Sequence, residues 1–317
     1  MYSSRIIDST DPDQHAASIR PIASQFTVTG HGSFCARNIL LDLGRVYAQR
    51  GFEGLSRIKH ADMTRAGVVF LTEPGPSMFF SGAEIGINQI GVVGAGESYI
   101  SRLSGPTRWG SMTLAKEDMD ALFMESASGT RQMSGVAVIT PPAAPLAHFR
   151  SLHDYMGRLA ETTPEVLSNA ELAHDLEHNL IVAMRGILCT GAERLSAVGG
   201  QHHQFVVQRF LELVRADPLM PLQIENIYQQ LGISGRTVRA ACQKILGASP
   251  RRYLVLRRMQ MARCALQKAD PDAARVTDIA TEHGFWELGR FSVNYRQLFG
   301  ESPIATLKGR QRSMSSD

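Results

Sequence analysis

Two arginines in the C-terminal third, Arg236 and Arg239, have the chemistry and spacing to bind an anion or a base edge. Three residues apart, they share one face of any helix that contains them, and a guanidinium can bind a guanine or a phosphate through two hydrogen bonds. Residues 205–317 carry 17 Lys and Arg against 10 Asp and Glu, whereas residues 1–204 carry 16 against 20. Such a local surplus on helices predicts a nucleic-acid partner. Phosphate contact or plain solvation is the alternative role of each arginine.

An internal repeat predicts how these residues are positioned. The segment from Ile227 to Gly232 recurs as Ile279 to Gly284 at an offset of 52, and LGASP at 246–250 recurs as FGESP at 299–303 at an offset of 53. In each copy a short helix ends at a glycine, a tight turn follows, and a second helix runs to another glycine. The repeat therefore predicts two helix-turn-helix units.

One helix should join the two units. Ser249 is a natural N-cap and Pro250 fits the first helical position, and the helical pattern runs to about Lys268. A helix over residues 250–268 would span roughly 28 Å at about 1.5 Å per residue, which is close to the roughly 34 Å of one DNA turn. The spacing predicts that one chain reads two adjacent DNA boxes.

These residues carry a resemblance to a known family. The sequences LGISGRTVRAACQKILGASPRRYL and VTDIATEHGFWELGRFSVNYRQLFGESP resemble the DNA-binding domain of the AraC/XylS family of bacterial transcription regulators, over residues 205–310. The stretch GFWELGRF is similar to the subgroup that includes regulators of aromatic-acid and amine catabolism. The resemblance implies that the C-terminal domain binds promoter DNA and contacts RNA polymerase. It also implies that the N-terminal domain binds a small effector or mediates dimerisation.

The candidate DNA contacts are the groove-facing positions of the second helix in each unit. Base recognition is assigned to Arg236 and Arg239, and phosphate contact to four further arginines. The second unit is chemically poor, because family members often carry polar or basic residues where this chain has Gly289 and Val293, so we expect recognition of DNA shape or backbone there. Trp286 is expected to pack over the turn. The full set is Ser234, Gly235, Arg236, Arg239, Ala240, Gln243, Lys244, Arg251, Arg252, Glu287, Gly289, Arg290, Ser292, Val293 and Arg296.

Apolar residues at helical spacing predict the core of this domain. They are Ile227, Leu231, Val238, Tyr253, Leu254, Ile279, Phe285, Phe291, Tyr295 and Phe299.

The N-terminal half has the rhythm of an all-β domain. Short runs rich in Val, Ile and Phe are broken by Gly and Pro every eight to twelve residues between about Phe26 and Thr113. This rhythm predicts a small antiparallel barrel or sandwich, and the resemblance implies that it is the family's cupin-like sensor domain. The fold class is therefore α+β: this β-domain, a helical dimerisation segment, and an all-α double helix-turn-helix domain. The predicted bounds are 1–145, 146–195 and 205–317, with a linker at 195–204. Candidate effector contacts are Arg37, Phe79, Arg102 and Trp109.

Two amphipathic helices are predicted in the middle segment. Leu172, Leu176 and Leu180 recur every four residues, so they form one apolar ridge that can pack against a second copy of the chain. We therefore expect a homodimer through this ridge.

Several classes of protein are disfavoured by composition and spacing. No run approaches the roughly 18 apolar residues of a membrane span, and the first thirty residues lack the apolar core of a signal peptide, so a bacterial cytoplasmic protein is expected. Four scattered cysteines are expected to be reduced, mostly buried thiols rather than disulfides or zinc ligands. His174 and His178 have metal-capable spacing, but a solvated helix face is the commoner outcome, and neither metal nor cofactor is expected.

Three functional hypotheses remain at this stage. The first is a ligand-responsive regulator, an activator of a catabolic or transport operon. The second is an effector-independent regulator whose β-domain only dimerises. The third is an enzyme that carries such a DNA-binding domain, which the chain supports poorly because it contains no GxSxG or PCHR sequence.

Overall fold

The computed structural model describes residues 2–19, 22–124, 135–189, 193–195, 201–217 and 224–314. The chain divides into two compact units. The first comprises 1–26, 35–54 and 59–198, and the second comprises 27–34, 55–58 and 199–317. The second unit thus takes two short stretches of the β-rich half in addition to the predicted helical third. Within it, the amide of Val28 donates to Oε1 of Gln260, 3.2 Å away.

The first unit is built mainly from strands. Its elements are β1 (Ser3–Ser9), α1 (Pro12–Ser18), β2 (Ile22–Val28), β3 (Ala36–Leu43), β4 (Val46–Glu53), β5 (Arg57–Met63), β6 (Ala66–Leu71), β7 (Met78–Phe80), β8 (Ala83–Ile85), β9 (Ile90–Val93), β10 (Ser98–Leu103), β11 (Thr107–Leu114), α2 (Lys116–Met124), β12 (Val136–Thr140), α3 (Ala143–Thr162), a 3-10 turn (Pro164–Ser168), α4 (Ala170–Cys189) and β13 (Glu193–Leu195).

The strands form two sheets. One has the order β1-β3-β4-β11-β6-β9-β12-β13 and the other β2-β5-β10-β7-β8. Alternating residues of the larger sheet face opposite ways: Val69 and Leu71 join the core that contains Phe80 of the smaller sheet, whereas Val68 and Phe70 join a second core. The two sheets therefore pack face to face. This confirms the predicted sheet-rich N-terminal domain; closure into a barrel stays a prediction.

The helical segment predicted at 146–195 covers the other face of the larger sheet. Phe149 and Met156 of α3 and Met184 of α4 are fully buried in the second core with Phe70. His153 of α3 is buried too, and its Nε2 donates to the carbonyl oxygens of Gln49 and Ser111, 3.1 and 3.4 Å away. The segment is thus part of the first unit, because its apolar faces are satisfied by the sheet.

The second unit is helical outside its two short β-half stretches. Its helices are α5 (Gln201–Ala216), α6 (Ile224–Leu231), α7 (Gly235–Leu246), α8 (Pro250–Lys268), α9 (Val276–Glu282), α10 (Leu288–Phe299) and α11 (Pro303–Met314). The predicted linker at 195–204 is wrong at its C-terminal end, since α5 begins at Gln201. Helix α8 has the predicted bounds and packs against α7, α9 and α11.

The predicted duplication is present in the backbone. Gly232 and Gly284 end α6 and α9 with φ of +64° and +79°, and Gly247 and Gly300 cap α7 and α10 in the left-handed region. A side chain is strained at such angles, which is why glycine recurs at these four positions. Of the ten predicted core residues, eight are buried, and Leu231 and Phe285 are half-buried.

Candidate nucleic-acid interface

Helix α7 is amphipathic, with its apolar side in the core and its cationic side exposed. Ser234 is the N-cap, and its hydroxyl oxygen accepts from the amide of Thr237 at 3.2 Å. Val238, Ala241, Cys242, Ile245 and Leu246 are buried. The predicted contacts of this unit lie on the opposite side: Gly235 is half-buried, and the exposed ones are Ser234, Arg236, Arg239, Ala240, Gln243 and Lys244.

Tyr228 of α6 supports the start of this exposed face. Its ring centroid lies 5.8 Å from the guanidinium carbon of Arg239, within cation–π range. A Cβ at Gly235 would lie 2.6 Å from the same ring, so the absence of a side chain lets the ring approach the helix. The sequence analysis did not predict that Tyr228 contacts Arg239. Its position next to the core residue Ile227 indicates a partly buried ring at the edge of the core.

Helix α10 exposes the corresponding face of the second unit. Glu287, Gly289, Arg290, Ser292, Val293 and Arg296 are all exposed, and Phe291, Tyr295, Leu298 and Phe299 are buried. Arg290 is paired along the helix with Glu287, at 3.0 Å between Nη1 and Oε2. The carboxylate of Glu287 thus partly neutralises Arg290, which was predicted to contact a phosphate.

The packing predicted for Trp286 is wrong. Its side chain is 78% exposed. The preceding residue, Phe285, takes the inward position, since its ring centroid lies 4.9 Å from that of Phe291. Leu288 and Val293 of α10 are exposed as well, so the exposed face of α10 is more apolar than that of α7.

The first turn of α8 presents two more cations. Ser249 caps this helix by accepting from the amide of Arg252 at 3.3 Å, and Pro250 occupies the first turn as predicted. Arg251 and Arg252 are both exposed. Free amides at a helix N-terminus favour anions, and these two side chains add positive charge at the same end.

The four predicted effector contacts do not meet. Arg37 is on the outer surface of the first unit, 3.4 Å from Asp8 and 3.5 Å from Glu161. The guanidinium carbon of Arg102 lies 3.7 Å from the ring centroid of Phe79. These two alternate with the inward Phe80 and Leu103, so they occupy the outer face of the smaller sheet. Only Trp109 lies between the sheets.

The predicted dimerisation ridge is largely internal. Leu180 is 1% exposed and belongs to the core between α4 and the larger sheet, and Leu176 packs against that core. Leu172 is 46% exposed. The packing of α4 on the larger sheet therefore buries the C-terminal part of the ridge and leaves Leu172 as its exposed member.

Thiols and histidines give no metal site in the residues described. No group of three or more metal-capable side chains occurs among them, and His174 Nδ1 instead lies 3.7 Å from Glu177 Oε2. None of the four cysteines, all of which lie in the described ranges, forms a disulfide, and only Cys242 is buried, where burial raises the pKa of its thiol to about 12. The prediction of mostly buried thiols is therefore wrong, because Cys35 is exposed and Cys189 and Cys264 are half-buried.

No described helix is long and apolar enough to cross a membrane.

Comparison with known proteins agrees with this geometry. A helix-turn-helix domain family model matches residues 227–309. The probable thc operon regulatory protein of Rhodococcus erythropolis is 37% identical over 103 residues, or 32% of this chain and 31% of that protein. The XylDLEGF operon transcriptional activator 3 of Pseudomonas putida is 28% identical over 104 residues, 33% of this chain and 31% of that one.

A solved structure, of a probable AraC family transcriptional regulator from Rhodopseudomonas palustris, is 34% identical. The match covers 33% of this chain and 96% of that one, with a TM-score of 0.31. The match to the two curated relatives spans about a third of their length.

The C-terminal region is therefore a tandem helix-turn-helix domain. The relatives that it matches are named as regulators of operons, and the similarity to them lies in this domain.

Proposed function

We propose that this protein is a sequence-specific DNA-binding transcription regulator that recognises promoter DNA through α7. The observation that carries the proposal is the capped, exposed face of α7 with Arg236, Arg239 and Lys244, in a region with 17 Lys and Arg against 10 Asp and Glu. Guanidinium groups on such a face fit guanine edges in the major groove. The arginines of α8 and α10 would hold the phosphates on either side.

The second unit has a different task in this proposal. Its exposed face offers Gly289 and Val293 where base-reading side chains would stand, so α10 contributes contacts to the DNA backbone and shape. Specificity then resides mainly in the box bound by α7, and the second box is recognised more loosely.

The regulatory setting is inferred from the relatives. Two of them are named as operon regulators, one as a transcriptional activator, which supports an activator that works with RNA polymerase in a bacterial cytoplasm. The first unit would then bind a small effector, and the protein would act as a homodimer on paired boxes. Leu172 is the member of the predicted ridge that is available to such an interface.

Selection from random double-stranded DNA tests the proposal with the full chain. The wild type should enrich one motif, and the double variant Arg236→Ala/Arg239→Ala should lose that enrichment while staying folded. Lys308→Ala is the matched control, because it removes an exposed cation of α11 outside the predicted contact set. The proposal is wrong if the wild type enriches no sequence, or if the control loses enrichment as completely as the double variant.

A further inference from the structure

The exposed face of α10 carries apolar side chains where α7 carries polar ones. Val293 is 58% exposed, Leu288 is exposed as well, and Trp286 is 78% exposed in the turn just before the helix. A single exposed apolar residue is ordinary, but a tryptophan is highly buried on average. Three such side chains within eight residues of the sequence therefore indicate a surface that a partner covers.

The internal repeat indicates which partner covers this face. At the offset of 53 residues, Gly289 of α10 corresponds to Arg236 of α7, and Val293 corresponds to Ala240. Gly289, Val293 and Arg296 follow one another at spacings of four and three, so they share one face of the helix. Because the matching face of α7 is the one proposed to enter the major groove, we expect this face of α10 to meet a second stretch of that groove.

The charges around the apolar row agree with DNA as the partner. Arg296 is exposed on the same face one turn further along, and Arg290 is exposed next to Gly289, with its charge partly neutralised by Glu287. Phosphates line both edges of the major groove, whereas the C5 methyl group of thymine is the apolar feature of its floor. A row with an apolar centre and cationic flanks complements that pattern, and an apolar patch on another protein would not need the arginines.

Gly289 is a glycine that the fold itself does not require. Its backbone is helical, and in the described part of the chain a Cβ there would have no heavy atom within 4 Å beyond its immediate neighbours. Gly235 of α7 differs, because it makes room for the Tyr228 ring. A glycine in a helix is less favourable than alanine, but it lets a bound partner come close to the backbone.

We infer that α10 recognises thymine in the second box through apolar contact. The isopropyl group of Val293 would lie against a thymine C5 methyl group, Gly289 would let the helix approach the groove floor, and the Trp286 ring would lie against an adjoining deoxyribose. The inference rests on the proposed function and refines it, because the loosely recognised second box acquires a preference for thymine. One methyl contact discriminates less than a paired guanidinium, which agrees with the weaker role of this unit.

Replacing thymine by deoxyuridine tests the inference, because it removes the methyl group and leaves the hydrogen-bonding edges of the base unchanged. The DNA is the motif selected by the full chain, and the second box is the segment about one helical turn, or roughly 10 base pairs, from the box that depends on Arg236 and Arg239. We expect thymine to be enriched there. Deoxyuridine in its place should weaken binding about threefold to fivefold, the value of one buried methyl group.

Two valine substitutions show whether α10 makes the methyl contact. Val293→Ser should bring the affinities for thymine and deoxyuridine DNA close to each other. Val182→Ser is the matched control, because Val182 is a 51% exposed valine of α4 in the first unit, and it should keep the wild-type ratio. Trp286→Ala should weaken binding to both DNAs alike, since a sugar contact does not depend on the methyl group.

Two glycine substitutions test the close approach. Gly289→Ala should leave the free energy of unfolding unchanged or raise it, but should weaken binding of the selected DNA at least about fivefold, as overpacking of a close contact does. Gly309→Ala is the matched control: Gly309 is an exposed glycine of α11 whose added Cβ would also have open space, and it should leave the affinity unchanged.

Four results would overturn the inference: a second box without thymine, equal affinities for thymine and deoxyuridine DNA, an undiminished methyl preference in Val293→Ser, or full DNA affinity in Gly289→Ala. Circular dichroism and urea unfolding check that the variants fold. A wild type that enriches no sequence would overturn the proposed function and this inference together. A selected motif whose affinity ignores the methyl groups would overturn this inference alone.

Discussion

The guanidinium carbon of Arg239 lies 5.8 Å from the ring centroid of Tyr228. The contact joins the two helices of the first helix-turn-helix unit across the turn at Gly232. Because the ring limits the rotamers of a long side chain, Arg239 is partly ordered before DNA arrives, and less side-chain entropy is lost on binding. This makes Arg239 the best candidate for base recognition in the domain.

Arg239→Ala should lower specific binding by about 1–3 kcal/mol and relax preference at one base pair. Arg252→Ala should instead weaken binding to every sequence and reduce the salt slope by about 1, because it removes a phosphate contact. Mobility shifts with the selected motif and with single-base variants, at several salt concentrations, measure both. Equal, sequence-independent losses from the two substitutions would show that Arg239 contacts phosphate only.

Gly235→Ala should destabilise the second unit by about 1–3 kcal/mol, as overpacking usually does, although alanine alone favours a helix. The added Cβ would lie 2.6 Å from the Tyr228 ring. In a Tyr228→Ala background the same change should become neutral or stabilising, because the steric conflict is gone. Urea unfolding of the four proteins forms a double-mutant cycle, and the same cost in both backgrounds would rule out this packing.

Glu287→Gln should strengthen DNA binding to all sequences and steepen the salt dependence, because it removes a negative charge and releases Arg290 from its ion pair. Glu212→Gln is the control, since Glu212 forms an i, i+3 pair with Arg209 on α5 at 3.3 Å, and neither residue belongs to the predicted DNA contacts. Salt titrations of mobility shifts compare them. Identical salt slopes for all three proteins would place Arg290 away from phosphate.

His153 should make the first unit less stable in mild acid. Burial lowers its pKa from 6.5 to about 4 in the folded state, so between these values the unfolded chain takes up a proton that the folded chain does not. Stability is therefore lost as pH falls from 6.5 to 4, by about 3 kcal/mol in total, and the loss stops below 4.

Urea unfolding followed by Trp109 fluorescence in the Trp286→Phe background measures this loss. His153→Gln should be less stable at pH 7 but should lack this component of the pH dependence. If the substituted protein loses the same stability between pH 7 and pH 5 as its parent, the titrating group is another one.

Leu180→Glu and Leu172→Glu should separate folding from dimerisation. The first places a charge in the core beneath α4 and should cost at least about 3 kcal/mol of stability. The second changes an exposed residue and should leave the unfolding midpoint nearly unchanged, while shifting any dimer toward monomer. Thermal unfolding and analytical ultracentrifugation give the two readouts. An unchanged dimer in the Leu172 variant would move the interface elsewhere.

Local pattern alone determined the two helix-turn-helix repeats of the second unit. Glycines at 232, 247, 284 and 300 and the Ser249–Pro250 cap are short-range signals, and they predicted the two helix-turn-helix units and the bounds of α8. The exposed cations of α7 followed from the same period, because a buried apolar stripe leaves the other side of a helix to solvent. In the first unit the same rules predicted short strands between about Phe26 and Thr113, and β3 to β10 lie within that range.

Only the tertiary structure decided which surface each helix or strand face packs against. A period of four places Leu172, Leu176 and Leu180 in one row, but only the packing of α4 on the larger sheet makes Leu180 internal. The pairing of β4 with β11 joins Val46 to Leu114 across most of the domain, and no local signal encodes such a register. Lys59 Nζ lies over the rings of both Tyr99 and Trp109. These residues come from three strands of two sheets, so their meeting depends on that register and on the packing of one sheet against the other.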